Sequence, residues 1–221
     1  MKREVVIFGA GKTADHARFY LDHDSPYEVR GFTVDRAFLD RETHAGLPVV
    51  AFEDIERTFP PSRCEMLVAI SYVRVNAARA EKYAQAKAKG YALATYVSSR
   101  ATTWPGLLIG DNCVIHEGCI IQPFAEIGSN VTIGSGAVIG HHTIIKDHCF
   151  ISGGATVSGN VTVESYCFIG AGATIRDKIT IARGCVIGAG ALVMEDTREK
   201  GVYKGQAAMP LPRSSDELRA I

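Results

Sequence analysis

Residues Ala137–Gly159 read AVIGHHTIIKDHCFISGGATVSG, and within this stretch an isoleucine or valine returns at every sixth residue. The same frame runs over residues 109–193, where all fifteen first positions are Ile or Val. The fifth position holds a small or medium-sized side chain, and the second is often glycine. A fixed period over this length is typical of a solenoid, in which each repeat packs on its neighbours.

These hexads predict a parallel β-helix. Each hexad forms one short strand and a turn, and three hexads complete a coil, so fifteen hexads predict about five coils. The first-position Ile or Val points inward and stacks on its equivalents in the coils above and below. The fifth position also faces inward, but near a corner, where only a small side chain fits.

The same frame accounts for the cysteines. Cys149, Cys167 and Cys185 are spaced 18 residues apart, and Cys113 lies 36 residues before Cys149, so they form one column. A free cysteine packs as a small apolar side chain, and no Cys-x-x-Cys pair is present. We therefore interpret the cysteines as structural and expect none to act as a nucleophile.

Residues 1–98 follow a different pattern, in which strands alternate with helices. Strands are predicted at 3–8, 27–34, 47–52, 64–71 and 92–98, and helices at 13–23, near 53–59 and at 75–90. This alternation indicates an α/β, Rossmann-like domain with a parallel sheet. The predicted division is a Rossmann-like domain at 1–98, a linker at 99–108, an all-β hexapeptide β-helix at 109–196 and a C-terminal cap at 197–221.

A glycine-rich turn follows the first strand. Gly9, Gly11 and Ala14 fit the pattern G-x-G-x-x-A, in which glycines let the backbone approach a phosphate at a helix N-terminus. Asp35 ends the second strand, at a suitable distance to bind a ribose hydroxyl. Taken alone, the pattern suggests NAD, but the domain has only about half the strands of a full dinucleotide fold, which argues against NAD.

Charge argues against two classes of partner. Lys plus Arg equals Asp plus Glu at 24 each, and no block of like charge stands out. Nucleic acid and an anionic membrane surface are therefore not expected as partners. The start of the chain reads as a first strand rather than a signal peptide, and no transmembrane segment is predicted, so we expect a cytoplasmic protein.

The combination of the two domains resembles the bacterial sugar-nucleotide N-acetyltransferases that act on bacillosamine precursors and GDP-perosamine, a group related to the sialic acid O-acetyltransferases. The resemblance is carried by IFGAGKTADHARFY, by the unbroken hexads, by VIGHHTIIKDHCFISGGATVSGNVTV and by EKGVYKGQAA. It implies a left-handed β-helix, a homotrimer, acetyl-CoA as co-substrate, no metal, and a nucleotide-linked amino sugar used in polysaccharide or glycan assembly.

The resemblance also implies how acetyl transfer would occur. His141 matches the family's general base, and neutral imidazole suits this role because its pKa lies near physiological pH. The family commonly has Asp or Glu at the next position, where this chain has His142. Either His142 shares the work, or a carboxylate such as Asp147 or Glu126 serves instead, including one from a neighbouring subunit.

Further residues are carried over by matching the family's motifs. The implied acetyl-CoA contacts are Phe150, Gly159, Ala171 and Ala189. The implied substrate contacts are Gly9, Lys12, Thr13, Asp35 and Arg36, with Ser71 standing where the family has a glycine. His148 is interpreted as a polar turn residue, and His116 as structural.

Three alternatives remain open on the residues alone. The same fold could acetylate a sugar hydroxyl, although an amine is the better nucleophile and demands less of the base. A zinc enzyme, like the hexapeptide carbonic anhydrases, would need a different histidine spacing from that of 116, 141, 142 and 148. A non-catalytic nucleotide-binding scaffold would use the hexads structurally and leave the histidine pair without a role.

Overall fold

A computed structural model describes residues 2–210, 212 and 215–217 of the 221-residue chain. Its first part is a five-stranded sheet flanked by helices. The strands are β1 (Arg3–Phe8), β2 (Tyr27–Val34), β3 (Thr43–His44), β4 (Leu47–Ala51) and β5 (Cys64–Val68), and the helices are α1 (Lys12–His23), α2 (Ile55–Thr58) and α3 (Ala77–Ala88). The strand order is β3-β4-β2-β1-β5, parallel except for β3 against β4. The predicted Rossmann-like arrangement is confirmed.

The central strand β1 explains why this sheet is covered on both sides. Val5, Val6 and Ile7 are fully buried, and successive residues of a strand face opposite sides of the sheet. Two apolar clusters therefore form, one on each face. The carboxyl ends of β1, β2 and β5 lie at the same edge, which is the usual ligand-binding edge of such a sheet.

The hexads form strands β7–β21, two residues each, on three faces of a parallel β-helix. The first face holds β7 (Leu108–Ile109), β10 (Glu126–Ile127), β13 (Ile144–Ile145), β16 (Thr162–Val163) and β19 (Thr180–Ile181). The second face holds β6 (Tyr96–Val97), β8 (Val114–Ile115), β11 (Thr132–Ile133), β14 (Phe150–Ile151), β17 (Phe168–Ile169), β20 (Val186–Ile187) and β22 (Val202–Tyr203). The third face holds β9 (Ile120–Ile121), β12 (Val138–Ile139), β15 (Thr156–Val157), β18 (Thr174–Ile175) and β21 (Leu192–Val193).

The predicted inward columns are confirmed. Ile127 pairs with Ile145, and Ile145 with Val163, so each coil advances by 18 residues. The first-position side chains from Ile115 to Val193 are at most 5% exposed, and the fifth positions are similarly buried. All six cysteines are buried and free, five of them at fifth positions. Burial raises the pKa of the Cys113 thiol to about 12, which disfavours the nucleophilic thiolate.

The turns between faces form three corners, which we call corner 1–2, corner 2–3 and corner 3–1 after the faces they join. The fourth position of each hexad from Asn112 to Gly190 takes a positive φ at these corners. At corner 2–3 this position is always glycine, the residue that adopts such a φ without strain. The residues are Gly118, Gly136, Gly154, Gly172 and Gly190. The other corners mostly use Asn, His and larger side chains, including His142 at φ 56° and His148 at φ 63°, with glycine at Gly184.

The prediction that residues 92–98 form the last strand of the first domain's sheet is wrong. Tyr96–Val97 pairs with Val114–Ile115 of the β-helix, and only Leu93 bridges back to the first sheet, at Met66. The reason is that β6 covers the open end of the second face, where β8 would otherwise lack a neighbour. At the other end, β22 extends this face into the predicted cap, part of which lies outside the described residues. The four-part division stays a prediction.

A buried arginine fastens the first domain to the β-helix. Arg79 of α3 is 2% exposed and donates to Oδ1 of Asn130 at 3.1 Å and to the carbonyl oxygen of Cys149 at 3.0 Å. It also donates to the carbonyl oxygens of Ile70 and Ser71 at the end of the first sheet. Burial lowers the pKa of Arg79 to about 10, so the guanidinium stays charged at neutral pH. One side chain thus binds both domains at corner 1–2.

Replacing this arginine tests the contact. Arg79→Met removes the hydrogen bonds to Oδ1 of Asn130 and to the carbonyl oxygens of Ile70, Ser71, Asn130 and Cys149, so we expect a loss of about 3 kcal/mol. For a chain of this length that corresponds to a fall of about 6–12 °C in the thermal midpoint, measured by circular dichroism. Arg176→Met is the matched control, since Arg176 is exposed and, among the residues that the structure describes, bonds only to the Met194 carbonyl and weakly to Asp177. Equal midpoints for the two variants would contradict the role given to Arg79.

Candidate active site

The histidine pair lies at corner 3–1, between β12 and β13, and both side chains are exposed. Nδ1 of His141 lies 3.1 Å from Nδ1 of His142, with the ring planes at 85°. Only one of the two nitrogens can donate, so the other must accept. When His141 donates, its Nε2 carries a lone pair directed away from His142, which is the tautomer that a general base needs.

Three neighbours hold the pair in place. The backbone N–H of His141 donates to Oε1 of Gln122 at 2.9 Å, and the Phe124 ring lies 4.7 Å from that of His142. A Cβ built on Gly159 would come within 2.8 Å of Nε2 of His141, so the imidazole lies directly over this glycine. Gln122 and Phe124 belong to no recognisable motif, although the hexad frame places both about one coil before the histidines.

The structure separates the histidines from one of the two candidate carboxylates. Oδ1 of Asp147 accepts a hydrogen bond from the Ser129 backbone at 2.7 Å, at corner 1–2 on another side of the coil. Glu126 is exposed on the first face. Among residues 2–210, neither carboxylate hydrogen-bonds to His141. Within one chain, therefore, His142 is the group that contacts Nδ1 of His141.

The residues expected to contact acetyl-CoA lie at three places on the β-helix. Gly159 is at corner 3–1 with His141, as described above. Ala171 and Ala189 are exposed at corner 2–3, one coil apart. Phe150 is on the second face, where its ring lies 5.2 Å from Tyr72 of the first domain. A single chain does not bring these four residues together.

The glycine-rich turn has the geometry expected of a phosphate-binding loop. Gly9 has a φ of 122°, and a Cβ there would lie 3.2 Å from the carbonyl oxygen of Ala69. Gly11 is the N-cap of α1, and Lys12 and Thr13 in its first turn are exposed. The free N–H groups of the first turn of this twelve-residue helix therefore lie at the ligand-binding edge of the sheet.

The Asp35 carboxylate, expected to bind a ribose hydroxyl, is already paired with a lysine. Oδ1 of Asp35 accepts from Nζ of Lys82 at 2.6 Å, and both side chains line an open groove. The Arg36 guanidinium binds Asp54 and thereby lowers the pKa of that carboxyl group. Ser71 contributes its carbonyl oxygen to Arg79. Lys82 was missed because it lies on α3, in an Ala- and Lys-rich helix without a recognisable motif.

His148 and His116 differ from each other in their surroundings. Nδ1 of His148 lies 2.8 Å from Nδ2 of Asn130 at corner 1–2, and burial lowers the pKa of His148. His116 packs against His16 and Tyr20 of α1, and burial lowers its pKa as well. Among the described residues, no three His, Cys, Asp or Glu side chains are grouped as metal ligands. In the same part of the chain, every helix is too short or too polar to cross a bilayer.

The first domain and the histidine pair lie on different sides of the β-helix. The first domain contacts the second face through Tyr72 and its two flanking corners through Tyr20 and Arg79. In a coil with three faces, corner 3–1 is the corner opposite the second face. Within one chain, the glycine-rich turn and His141 are therefore separated by the β-helix itself.

Known proteins resemble this chain at two levels, one in the sequence of the β-helix and one in the fold of nearly the whole chain. A family model described as the GMPPB C-terminal domain matches residues 103–201, which form most of the β-helix. No curated protein sequence matches the chain. The acetyltransferase domain of PglB from Neisseria gonorrhoeae has a TM-score of 0.82 and 26% identity, over 95% of this chain and 100% of that domain. A second structure of that domain contains acetyl coenzyme A.

Two more distant structures share the fold. A variant of perosamine N-acetyltransferase from Caulobacter crescentus, in complex with CoA and GDP-perosamine, has a TM-score of 0.80 and 24% identity, over 91% of this chain and 93% of its own. WeeI from Acinetobacter baumannii has a TM-score of 0.74 and 19% identity, over 92% and 94%. The predicted resemblance to sugar N-acetyltransferases and the predicted fold class are confirmed. The likeness to the PglB domain supports the expectation of an acyltransferase enzyme.

The contact between Gly159 and His141 yields a test. Gly159→Ala places a methyl group where the imidazole now lies, and the ring can turn aside because it is the end of a side chain. We expect the protein to stay folded while its acetyl-transfer rate falls by about tenfold or more. Ser158→Ala, at the adjacent position, should leave the rate unchanged. A Gly159→Ala variant with the wild-type rate would show that the ring position does not matter.

Proposed function

We propose that this protein is an acetyl-CoA-dependent acetyltransferase that acetylates the amino group of a nucleotide-linked amino sugar. The observation that carries the proposal is the exposed His141, whose Nδ1 is engaged by His142 so that Nε2 is left as a base. The glycine-rich turn at the N-terminus of α1 supports a nucleotide-linked substrate. The 26% identity with an acetyltransferase domain supports the reaction class.

The chemistry follows from the position of Nε2. The sugar amine attacks the thioester carbonyl, forming the C–N bond, while Nε2 of His141 accepts the proton that the amine loses. The tetrahedral oxyanion then collapses, the C–S bond breaks, and the protonated imidazole returns the proton to the CoA thiolate. The backbone N–H of Gly159, beside the ring, makes no hydrogen bond within the described chain and is our candidate donor to the oxyanion.

We infer that two copies of the chain build each site. The nucleotide turn is separated from His141 by the β-helix, and Gly159 lies at a different corner from Ala171 and Ala189. In a homotrimer with cyclic symmetry, corner 3–1 of one copy would lie beside the first domain of a neighbouring copy. It would also lie beside corner 2–3 of that neighbour. Acetyl-CoA would then lie in the groove between adjacent β-helices, along the small side chains of Gly159, Ala171 and Ala189.

The histidine pair favours an amine over a hydroxyl as the acceptor. A neutral His142 orients His141, but it stabilises the imidazolium less than a carboxylate would. An amine is more nucleophilic than an alcohol and needs a weaker base. The replacement of the usual carboxylate by His142 should therefore slow N-acetylation less than O-acetylation. O-acetylation of a sugar on the same fold stays the second candidate, and a non-catalytic scaffold the third.

A thiol-release assay tests the reaction. Purified protein is mixed with acetyl-CoA and a panel of UDP-, dTDP-, GDP- and CMP-linked amino sugars, alongside the matching sugars that carry a hydroxyl in place of the amine. We expect CoA release with at least one of them, reduced about 100-fold or more in His141→Ala. His142→Asn should retain more activity than His142→Ala, because the amide oxygen can accept from Nδ1–H of His141. His23→Ala, an exposed histidine of the first domain, is the matched control.

The possible results separate the candidates. Release with a hydroxyl acceptor but with no amine would favour O-acetylation. No release with any acceptor, alongside binding of a free nucleotide, would favour the scaffold. Full activity in His141→Ala would contradict its role as the base.

A further inference from the structure

A cavity of about 260 Å³ lies between the first domain and the β-helix. Thr13, His16 and Ala17 of α1 form one wall, and the end of β5 forms another. The second face closes it with Val114, Thr132 and Phe150, together with His116 at the start of corner 2–3. The mechanism described above uses none of the polar groups that the β-helix contributes here.

The cavity continues the predicted nucleotide site. Thr13 lies in the first turn of α1, and Ser71 follows β5, so both sites share these residues. In the sheet, β1 lies between β2 and β5. A nucleoside diphosphate at the glycine-rich turn, with its ribose toward Asp35 after β2, therefore directs its terminal phosphate toward β5. The sugar attached to that phosphate would therefore enter the cavity.

Two imidazoles line the cavity from opposite domains. The rings of His16 and His116 lie 5.1 Å apart at 37°. His16 is exposed, and among residues 2–210 its side chain makes ring contacts but no hydrogen bond. Burial lowers the pKa of His116, so at neutral pH its ring offers one donor and one acceptor. Such groups suit sugar hydroxyls, which both donate and accept.

A hydrogen-bonded network holds Tyr20, whose ring contacts both imidazoles. The Tyr20 hydroxyl donates to Oε2 of Glu117 at 2.6 Å, and the Ser135 hydroxyl donates to Oε1 at 2.9 Å. These bonds lower the pKa of Glu117 to about 2, so the carboxylate remains charged and keeps both donors. Tyr20 in turn contacts both His16 and His116. The imidazoles are thus held by residues that belong to both domains.

The rest of the lining is mostly apolar. Phe150 packs on Phe168, at 5.8 Å between ring centroids, and on Tyr72. Ala17 and Val114 complete a wall against which the C–H face of a pyranose can lie. Few polar groups on an apolar wall are typical of a small-molecule site.

We propose that this cavity holds the hexose ring of the nucleotide-linked sugar, with His16 and His116 binding its hydroxyl groups. The inference rests on the proposed function and adds the residues that select the sugar. Under this proposal Phe150, which the resemblance assigns to acetyl-CoA, instead lines the sugar site. The sugar bound by one copy would present its amine to His141 of another.

Thr132→Phe tests the cavity by filling it. Phenylalanine occurs at the equivalent position of the next two coils, Phe150 and Phe168, so the substitution suits the strand. Isothermal titration compares GDP, UDP and dTDP with their amino-hexose conjugates, GDP-perosamine among them. We expect the variant to bind the preferred diphosphate within about twofold of wild type and its conjugate about tenfold more weakly or worse. His16→Ala and His116→Ala should each weaken only the conjugate, by about fivefold.

Thr162→Phe, at the same hexad position on the first face, is the matched control and should change neither affinity. Unchanged binding of the conjugate by Thr132→Phe would overturn the proposal. Equal weakening of diphosphate and conjugate would also overturn it, by showing that the cavity only supports the glycine-rich turn. Failure of every diphosphate to bind wild type would instead contradict the proposed function, and this inference with it.

Discussion

The whole structure depends on burying one Ile or Val at every sixth residue inside a three-faced coil. Because these side chains stack with an 18-residue advance, residues one coil apart in sequence are neighbours in space. The constraint decides which residues are free for chemistry. First and fifth positions are buried, whereas third and fourth positions, such as His141 and His142, stand at the corners. Gln122, Phe124 and Gly159 surround the pair because each lies about one coil away.

The second organising contact is the charged Arg79, buried among carbonyl groups of both domains. It places the first domain on the second face and its flanking corners, and so leaves corner 3–1 open. The same packing creates the cavity between His16 and His116. The glycine-rich turn and His141 consequently lie on opposite sides of the β-helix within one chain. A second copy then becomes part of the proposed mechanism, rather than an addition to a site that is already complete.

The local pattern was enough to predict the hexad strands, the cysteine column and the glycine-rich turn, because each depends on residues close in sequence or at a fixed period. The strand at 92–98 was assigned to the wrong sheet, since propensity does not show which edge a strand will join. Arg79 and Lys82 lie in a helix whose composition signals only helix formation. The resemblance implies that His142 stands where an acidic residue is common, but the contact between the two Nδ1 atoms depends on side-chain rotamers.

The most direct test of the shared site is complementation between two inactive variants. Gly11→Asp places a carboxylate at the phosphate turn, where a Cβ has open space and Asp is a favourable N-cap, so the fold should persist. His141→Ala removes the proposed base. If each site takes the turn from one copy and His141 from another, co-expressing the two variants should restore about a quarter of the wild-type acetyl transfer. Mixed oligomers that form but stay inactive would contradict the shared site and place the whole reaction within one chain.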